Sequence, residues 1–258
     1  MTITNQHTLK LYQKAGVLST KILSELKDAV KPGVLPAKID QLAESLCQKN
    51  NVRPAFKGVN PANPYRYSTC ISVNDVVVHG VPGKVKPIQI GDVVKVDFGL
   101  VYQGLYTDHC FTVVVGKFTP LTKKLVTVAR DAVQAAIPLA ISANTTGDLG
   151  YAMQSKTESA GFNILKQYTG HGIGRTLHDG PAIPAYGQRQ TGTPLEKNQV
   201  LCLEAQVVTG SDQVTVAADG WSVKTIDGGL SAMFEYMVVV GEKQPILLTP
   251  TLDWGMIV

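Results

Sequence analysis

Acidic side chains stand inside the most apolar, β-branched stretches of this chain. Asp97 follows Val93-Val94-Lys95-Val96 and precedes Phe98, and Asp108 lies within Tyr106-Thr107-Asp108-His109-Cys110-Phe111. Glu204 follows Val200-Leu201-Cys202-Leu203, and Glu235 follows Met233-Phe234. Runs of this kind fold as buried strands, where a carboxylate is costly unless it is paired, protonated or bound to a cation. Asp97 and Asp108 are 11 residues apart, which lets them face each other across a hairpin through Gly99 and Gly104. Facing carboxylates repel unless a proton or a cation lies between them. A turn or edge position would account for either aspartate alone, and a solvent-facing strand position for either glutamate. Four such interruptions together strain that account.

His171 adds a nitrogen donor. It sits in Thr169-Gly170-His171-Gly172-Ile173-Gly174-Arg175, where the glycines let the backbone pass close to a neighbour and hold the imidazole on an exposed turn. His178 follows seven residues later. A single histidine is usually a satisfied core or surface residue, but two in one glycine-rich segment call for weighing a ligand role equally. Four carboxylates and one imidazole, with no thiolate, suit two divalent ions of the Mn, Fe, Co or Zn type sharing a water, and amide hydrolysis is the natural chemistry of such a pair.

The rest of the chain supplies a scaffold of repeated order. Apolar residues from Leu9 to Leu26 keep the spacing of one helical face, Lys31-Pro32-Gly33 breaks it, and a second helix runs from about Ala37 to Cys47. After the Pro- and Asn-rich loop Gly58 to Pro64, Ile88 to Gly116 reads as two paired strands. The order then recurs: a helix over Leu121 to Ala143, a turn over Asn144 to Gly147, a helix over Asp148 to Ser159, and strands over Val200 to Val208 and Met233 to Val240. Both parts close on a valine triplet and glycine, Val113-Val114-Val115-Gly116 and Val238-Val239-Val240-Gly241. We therefore expect an α+β fold in one domain over residues 1–258, its halves at about 9–116 and 121–241 sharing a central sheet.

Composition excludes little but points one way. The 258 residues are 44% hydrophobic and 17% charged, enough for one large core. The net charge of +4 comes from scattered residues, the densest run being Lys123-Lys124, so nothing resembles a nucleic-acid stripe. The polar start, Met1 to Lys14, has no apolar leader, and no window holds the ~18 apolar residues of a membrane span, so a cytoplasmic protein is expected. Cys47, Cys70, Cys110 and Cys202 are far apart without a C-x-x-C pair, and reduced thiols follow.

Taken in order, these segments resemble the type I methionine aminopeptidases, which are pita-bread peptidases of family M24. The resemblance is carried by Asn74-Asp75-Val76-Val77-Val78-His79-Gly80-Val81-Pro82, the Asp97 to Gly116 hairpin, Gly170 to Arg175 with His178, Leu203-Glu204 and Leu230 to Glu235. It implies a pita-bread fold of pseudo-twofold halves, with a central antiparallel sheet flanked by helices. It implies removal of the initiator methionine from nascent polypeptides, with the ribosome a candidate partner, and a monomer is expected. It also implies two metal ions on Asp97, Asp108, His171, Glu204 and Glu235, with Asp108 and Glu235 bridging both ions and Glu204 doubling as general base. His79 would serve the scissile nitrogen, and His178 the substrate carbonyl and its oxyanion. Cys70, Trp221 and Tyr65 match the family's methionine pocket, and Leu177 stands where an aromatic residue is usual. Ala205-Gln206 replace the family's Pro-Met, Tyr236 replaces a histidine, and Cys110 a small hydroxyl residue. Such changes alter hydrogen bonds around ligands and, through them, metal preference and rate.

Two other readings use the same residues. A related peptidase cutting before proline would share the five ligands, but the short chain and Gly174-Arg175 fit the methionine enzymes better. A binding module descended from such an enzyme would usually have lost ligands, and all five are present.

Overall fold

In the computed structural model, which describes residues 1–83, 85–251 and 253–258, helices come first. Helix α1 (Gln6–Ala29) begins where the Asn5 side chain accepts from the Thr8 N–H, and α2 (Pro36–Lys49) begins on a proline whose missing N–H costs nothing there. Seven strands follow: β1 (Arg53–Pro54), β2 (Thr69–Val73), β3 (Val76–Val78), β4 (Val93–Phe98), β5 (Leu100–Tyr102), β6 (Leu105–Tyr106) and β7 (His109–Val114). Helices α3 (Pro120–Ala136) and α4 (Thr146–Ser159) come next, each opened by a reciprocal side-chain cap, Thr119 with Thr122 and Thr145 with Asp148. The chain then forms β8 (Asn163–Ile164), β9 (Gly170–Gly172), β10 (Asp179–Ile183), β11 (Val200–Val208), β12 (Val214–Val216), β13 (Val223–Thr225), β14 (Ser231–Val239) and β15 (Ile246–Leu247).

Two antiparallel pairs matter most for chemistry. Strands β4 and β7 pair with Asp97 opposite Cys110, and β2 lies on the other side of β4 with Cys70 opposite Asp97. Strands β11 and β14 pair along their whole length with Glu204 opposite Glu235. Alternation sends Leu203, Ala205, Phe234, Tyr236 and Val238 into the main core, which also takes α3 and α4 residues such as Leu125, Val133 and Met153. Cys202, Met237 and Val239 turn to the opposite face, against Tyr12, Ile173 and Leu177.

The structure revises several expectations. The region from Ile88 to Gly116 holds four strands rather than two, because Gln103 and Gly104 both take positive φ (50° and 81°) and turn β5 directly into β6. Gly99 is needed at the kink before β5, where a Cβ would meet the Thr107 carbonyl oxygen at 2.1 Å. The helix expected to reach Ala143 ends at Ala136 and passes into a 3-10 turn over Ile137–Leu139, since Pro138 cannot donate to the preceding turn. The segment around His171 is strand β9 and not an exposed turn: His171 is only 8% exposed. Its glycines serve close packing, for a Cβ on Gly170 would meet the Cys202 carbonyl oxygen at 2.4 Å. The expected strands also omit β2 and β3, although Ile71, Val73 and Val76-Val77-Val78 are β-branched; only Asn74-Asp75 between them are turn residues.

Candidate metal centre

Register alone brings the acidic residues to one place. Asp108 lies one residue before β7 and two before Cys110, the partner of Asp97, so the two aspartates are diagonal neighbours whose carboxyl groups reach one another. Glu204 and Glu235 face each other on the second pair. His171 lies opposite Cys202, two residues from Glu204 on β11. Its Nδ1 is 2.9 Å from the Gly172 carbonyl oxygen; a carbonyl only accepts, so Nδ1 carries the proton and Nε2 presents its lone pair. That Nε2 is 3.6 Å from Asp108 Oδ2 and 4.0 Å from Glu235 Oε1.

Burial makes this cluster unstable without a positive partner. Asp108, His171, Glu204 and Glu235 are each buried, and Asp97 Oδ1, Asp108 Oδ1 and Glu235 Oε1 have no hydrogen-bond partner. All four carboxyl groups are pushed above the ordinary carboxylate range, first by desolvation and, for Asp97 and Glu235, next by the charge of Asp108. Orphaned buried oxygens, mutual repulsion and an imidazole lone pair aimed at the same place fit divalent cations of the Mn, Fe, Co or Zn type.

One residue of the centre escaped the sequence reading. Cys202 Sγ joins Asp108, His171 and Glu235 in a group whose potential donor atoms all lie within 4.8 Å of one another, so a thiol stands beside the predicted ligands. The signal was the spacing to Glu204, since residues i and i+2 of a strand share a face. Gln206, two residues beyond Glu204, likewise reaches it: its Nε2 donates to the Glu204 carboxylate. Of the other departures, Ala205 and Tyr236 point into the core behind the sheet and do not enter the centre.

Two further histidines flank it. The His178 ring is 4.5 Å from that of His171, centroid to centroid, and nearly perpendicular. Burial, then His171 and His79, press the pKa of His178 down to about 4, so it is neutral at pH 7. His79 holds a left-handed backbone, φ 56°, rare for a residue with a side chain and frequent where a functional group must be aimed. Its ring packs edge-on to Tyr168 and Trp221, at 5.4 and 6.3 Å.

Next to the carboxylates lies an apolar wall. Tyr65, Cys70 and Leu177 are buried in one cluster, with Trp221 half-buried against it; the Tyr65 and Trp221 rings meet edge-on at 5.0 Å. Cys70, paired with Asp97, joins this wall to the acidic group. A cleft of about 920 Å³ opens on the far side of Tyr65 and Trp221 but includes none of the five predicted ligands. Chemistry, not cavity size, therefore locates the centre. Among the described residues no helix is long and apolar enough to cross a membrane, and all four cysteines are free and buried.

Comparison with known proteins agrees with this construction. The chain is 35% identical to the methionine aminopeptidase of Aquifex aeolicus, over 95% of this chain and 97% of that protein. The crystal structure of methionine aminopeptidase from Thermotoga maritima superposes with a TM-score of 0.92 at 39% identity, covering 96% of this chain and 99% of that one. The X-Pro aminopeptidase of the same organism, at 20% identity and a TM-score of 0.77, shares the fold but is longer, this chain covering 64% of it. The architecture is thus the pita-bread fold expected from the resemblance. With residues 10–242 matching that family's sequence pattern, the chain belongs to metallopeptidase family M24.

Proposed function

We propose that this chain removes the amino-terminal methionine of polypeptides by hydrolysis, using Asp97, Asp108, His171, Glu204 and Glu235 to hold two divalent ions. The observation that carries the reading is the convergence of these five groups, four buried and Asp97 half-buried, beside the apolar wall of Tyr65, Cys70, Leu177 and Trp221. Divalent ions held there supply a Lewis acid for the scissile carbonyl and an acidified water. Glu204 would take the proton of the attacking water, while Asp97, Asp108, His171 and Glu235 would hold the ions. Neutral His178 donates to the substrate carbonyl as charge develops on its oxygen, and His79 holds the proton bound for the leaving nitrogen. The wall takes the methionine thioether, whose polarizable sulfur suits aromatic edges and a thiol. The substrates this reading assigns are nascent polypeptides in the cytosol, with the ribosome a candidate partner and the monomer the acting form.

The experiment compares Met-Ala-Ser with Ala-Pro peptides after metal removal and reloading with Co, Mn, Fe or Zn. Cleavage of the methionine peptide supports the proposal. Cleavage confined to the proline peptides overturns it in favour of an X-Pro enzyme, and failure to bind metal or to cleave either would favour a binding module.

A further inference from the structure

Lys95 is fully buried, 1% exposed, two residues before Asp97 on β4. Its Nζ donates to the Asn74 carbonyl oxygen at 2.9 Å, the Ser231 carbonyl oxygen at 3.0 Å and Ser231 Oγ at 2.8 Å. Two carbonyl oxygens accept from the amine, and the Ser231 hydroxyl, both donor and acceptor, completes its set of three partners. Among the described residues no carboxylate pairs with it within 4.0 Å, and burial pushes its pKa down to about 7 against the smaller opposing effects of Cys110, Asp75 and Asp92.

Its partners belong to segments that carry the chemistry. Asn74 sits in a left-handed turn, φ 55°, between β2 and β3, five residues before His79. Ser231 opens β14 four residues before Glu235, and its hydroxyl lies 2.8 Å from the Asn74 carbonyl oxygen and 3.1 Å from that of Val76. One amine therefore gathers the backbones that present Asp97, His79 and Glu235. We propose that Lys95 is a positioning residue, a tethered internal amine, and that the oxygen-lined space left by removing its side chain accepts a small free amine instead, supplied as its ammonium salt. This proposal rests on the aminopeptidase reading for its activity readout and on metal binding for a readout independent of it.

The test uses metal-loaded wild type and Lys95→Ala with a methionine-initiated tripeptide. Each is assayed in ammonium, methylammonium or tetramethylammonium chloride at equal ionic strength, and cobalt affinity is titrated in parallel. Misplacement of catalytic groups predicts a ~10- to 100-fold loss of kcat with a smaller change in KM. Ammonium and methylammonium should restore kcat and cobalt affinity saturably, tetramethylammonium should not, and wild type should be indifferent. A folded variant with wild-type kcat and cobalt affinity overturns the proposal, as does a loss that no small ammonium repairs. If Lys95→Ala does not fold, Lys95→Gln takes its place, and failure of both to fold would make the residue structural and overturn it. An inactive wild type would count against the aminopeptidase reading alone, because cobalt affinity still decides the role of Lys95.

Discussion

Glu204 and Glu235 lie directly opposite one another on β11 and β14, both buried. Like charges at opposed positions destabilise a strand pair, and burial sharpens the conflict. Replacing one by its neutral amide, Glu235→Gln, should therefore stabilise the metal-free protein by about 1–3 kcal/mol while abolishing tight metal binding. Thermal unfolding of both proteins in chelator, then with added cobalt, checks this. A metal-free variant no more stable than wild type would show that the opposed carboxylates are not in conflict.

The same conflict sets a pH dependence. All four carboxyl groups bind protons more tightly folded than unfolded, Glu204 with its pKa raised to about 7. Stability from a raised pKa is complete below the unfolded value and is lost as pH rises through the folded one. His178, its pKa lowered to about 4, works oppositely, losing stability only as pH falls from its unfolded value toward 4. Between pH ~6.5 and ~8.5 unfolded His178 gives up its remaining charge and Lys95, its pKa lowered to about 7, adds stability as pH rises, but the four carboxyl groups outnumber these two and govern. The Tm of metal-free protein should fall by about 2–8 °C over that interval. With metal bound the fall should vanish or reverse, because cation and protons compete for the same oxygens.

In the proposed mechanism Glu204 and His178 act at different stages of hydrolysis, and their variants should fail differently. Glu204→Gln removes the acceptor for the proton of water, for an expected loss of ~10²- to 10⁴-fold in kcat. His178→Ala removes one donor to the developing oxyanion, for a loss of ~10²- to 10³-fold. Metal content of both proteins should be measured with the kinetics. A Glu204→Gln protein that retains its metal and its rate would contradict the base assignment.

What the chain reveals before folding depends on whether a signal is local. The carboxylates of β4, β11 and β14 announce themselves because an ionisable group within a valine-rich run is anomalous wherever it is met. Strand β9 did not, because its glycines serve a neighbour that sequence cannot show: the carbonyl oxygen of Cys202, 32 residues further along the chain. Cys202 was missed for a related reason, a thiol in an apolar run being an ordinary core residue until register sets it beside His171. Lys95 stood in plain view between two valines, yet its three oxygen partners come from turns and strand ends more than 20 residues away on one side and 130 on the other.

Tyr65 tests how the apolar wall is held in place. Its hydroxyl lies 2.9 Å from the Thr69 carbonyl oxygen and 3.0 Å from that of Gly80, the residue after His79. One proton shared between two carbonyls links the pocket wall to the strained backbone that aims the imidazole. Tyr65→Phe keeps the ring against Trp221 but leaves both buried carbonyls without that donor, at an expected cost of about 1–2 kcal/mol in stability. Because the ring still fills the wall, KM for methionine peptides should change little, while kcat falls through His79. The reverse outcome, a raised KM with kcat intact, would show that the hydroxyl shapes the pocket rather than the histidine, and a norleucine-initiated peptide assayed alongside would separate the two.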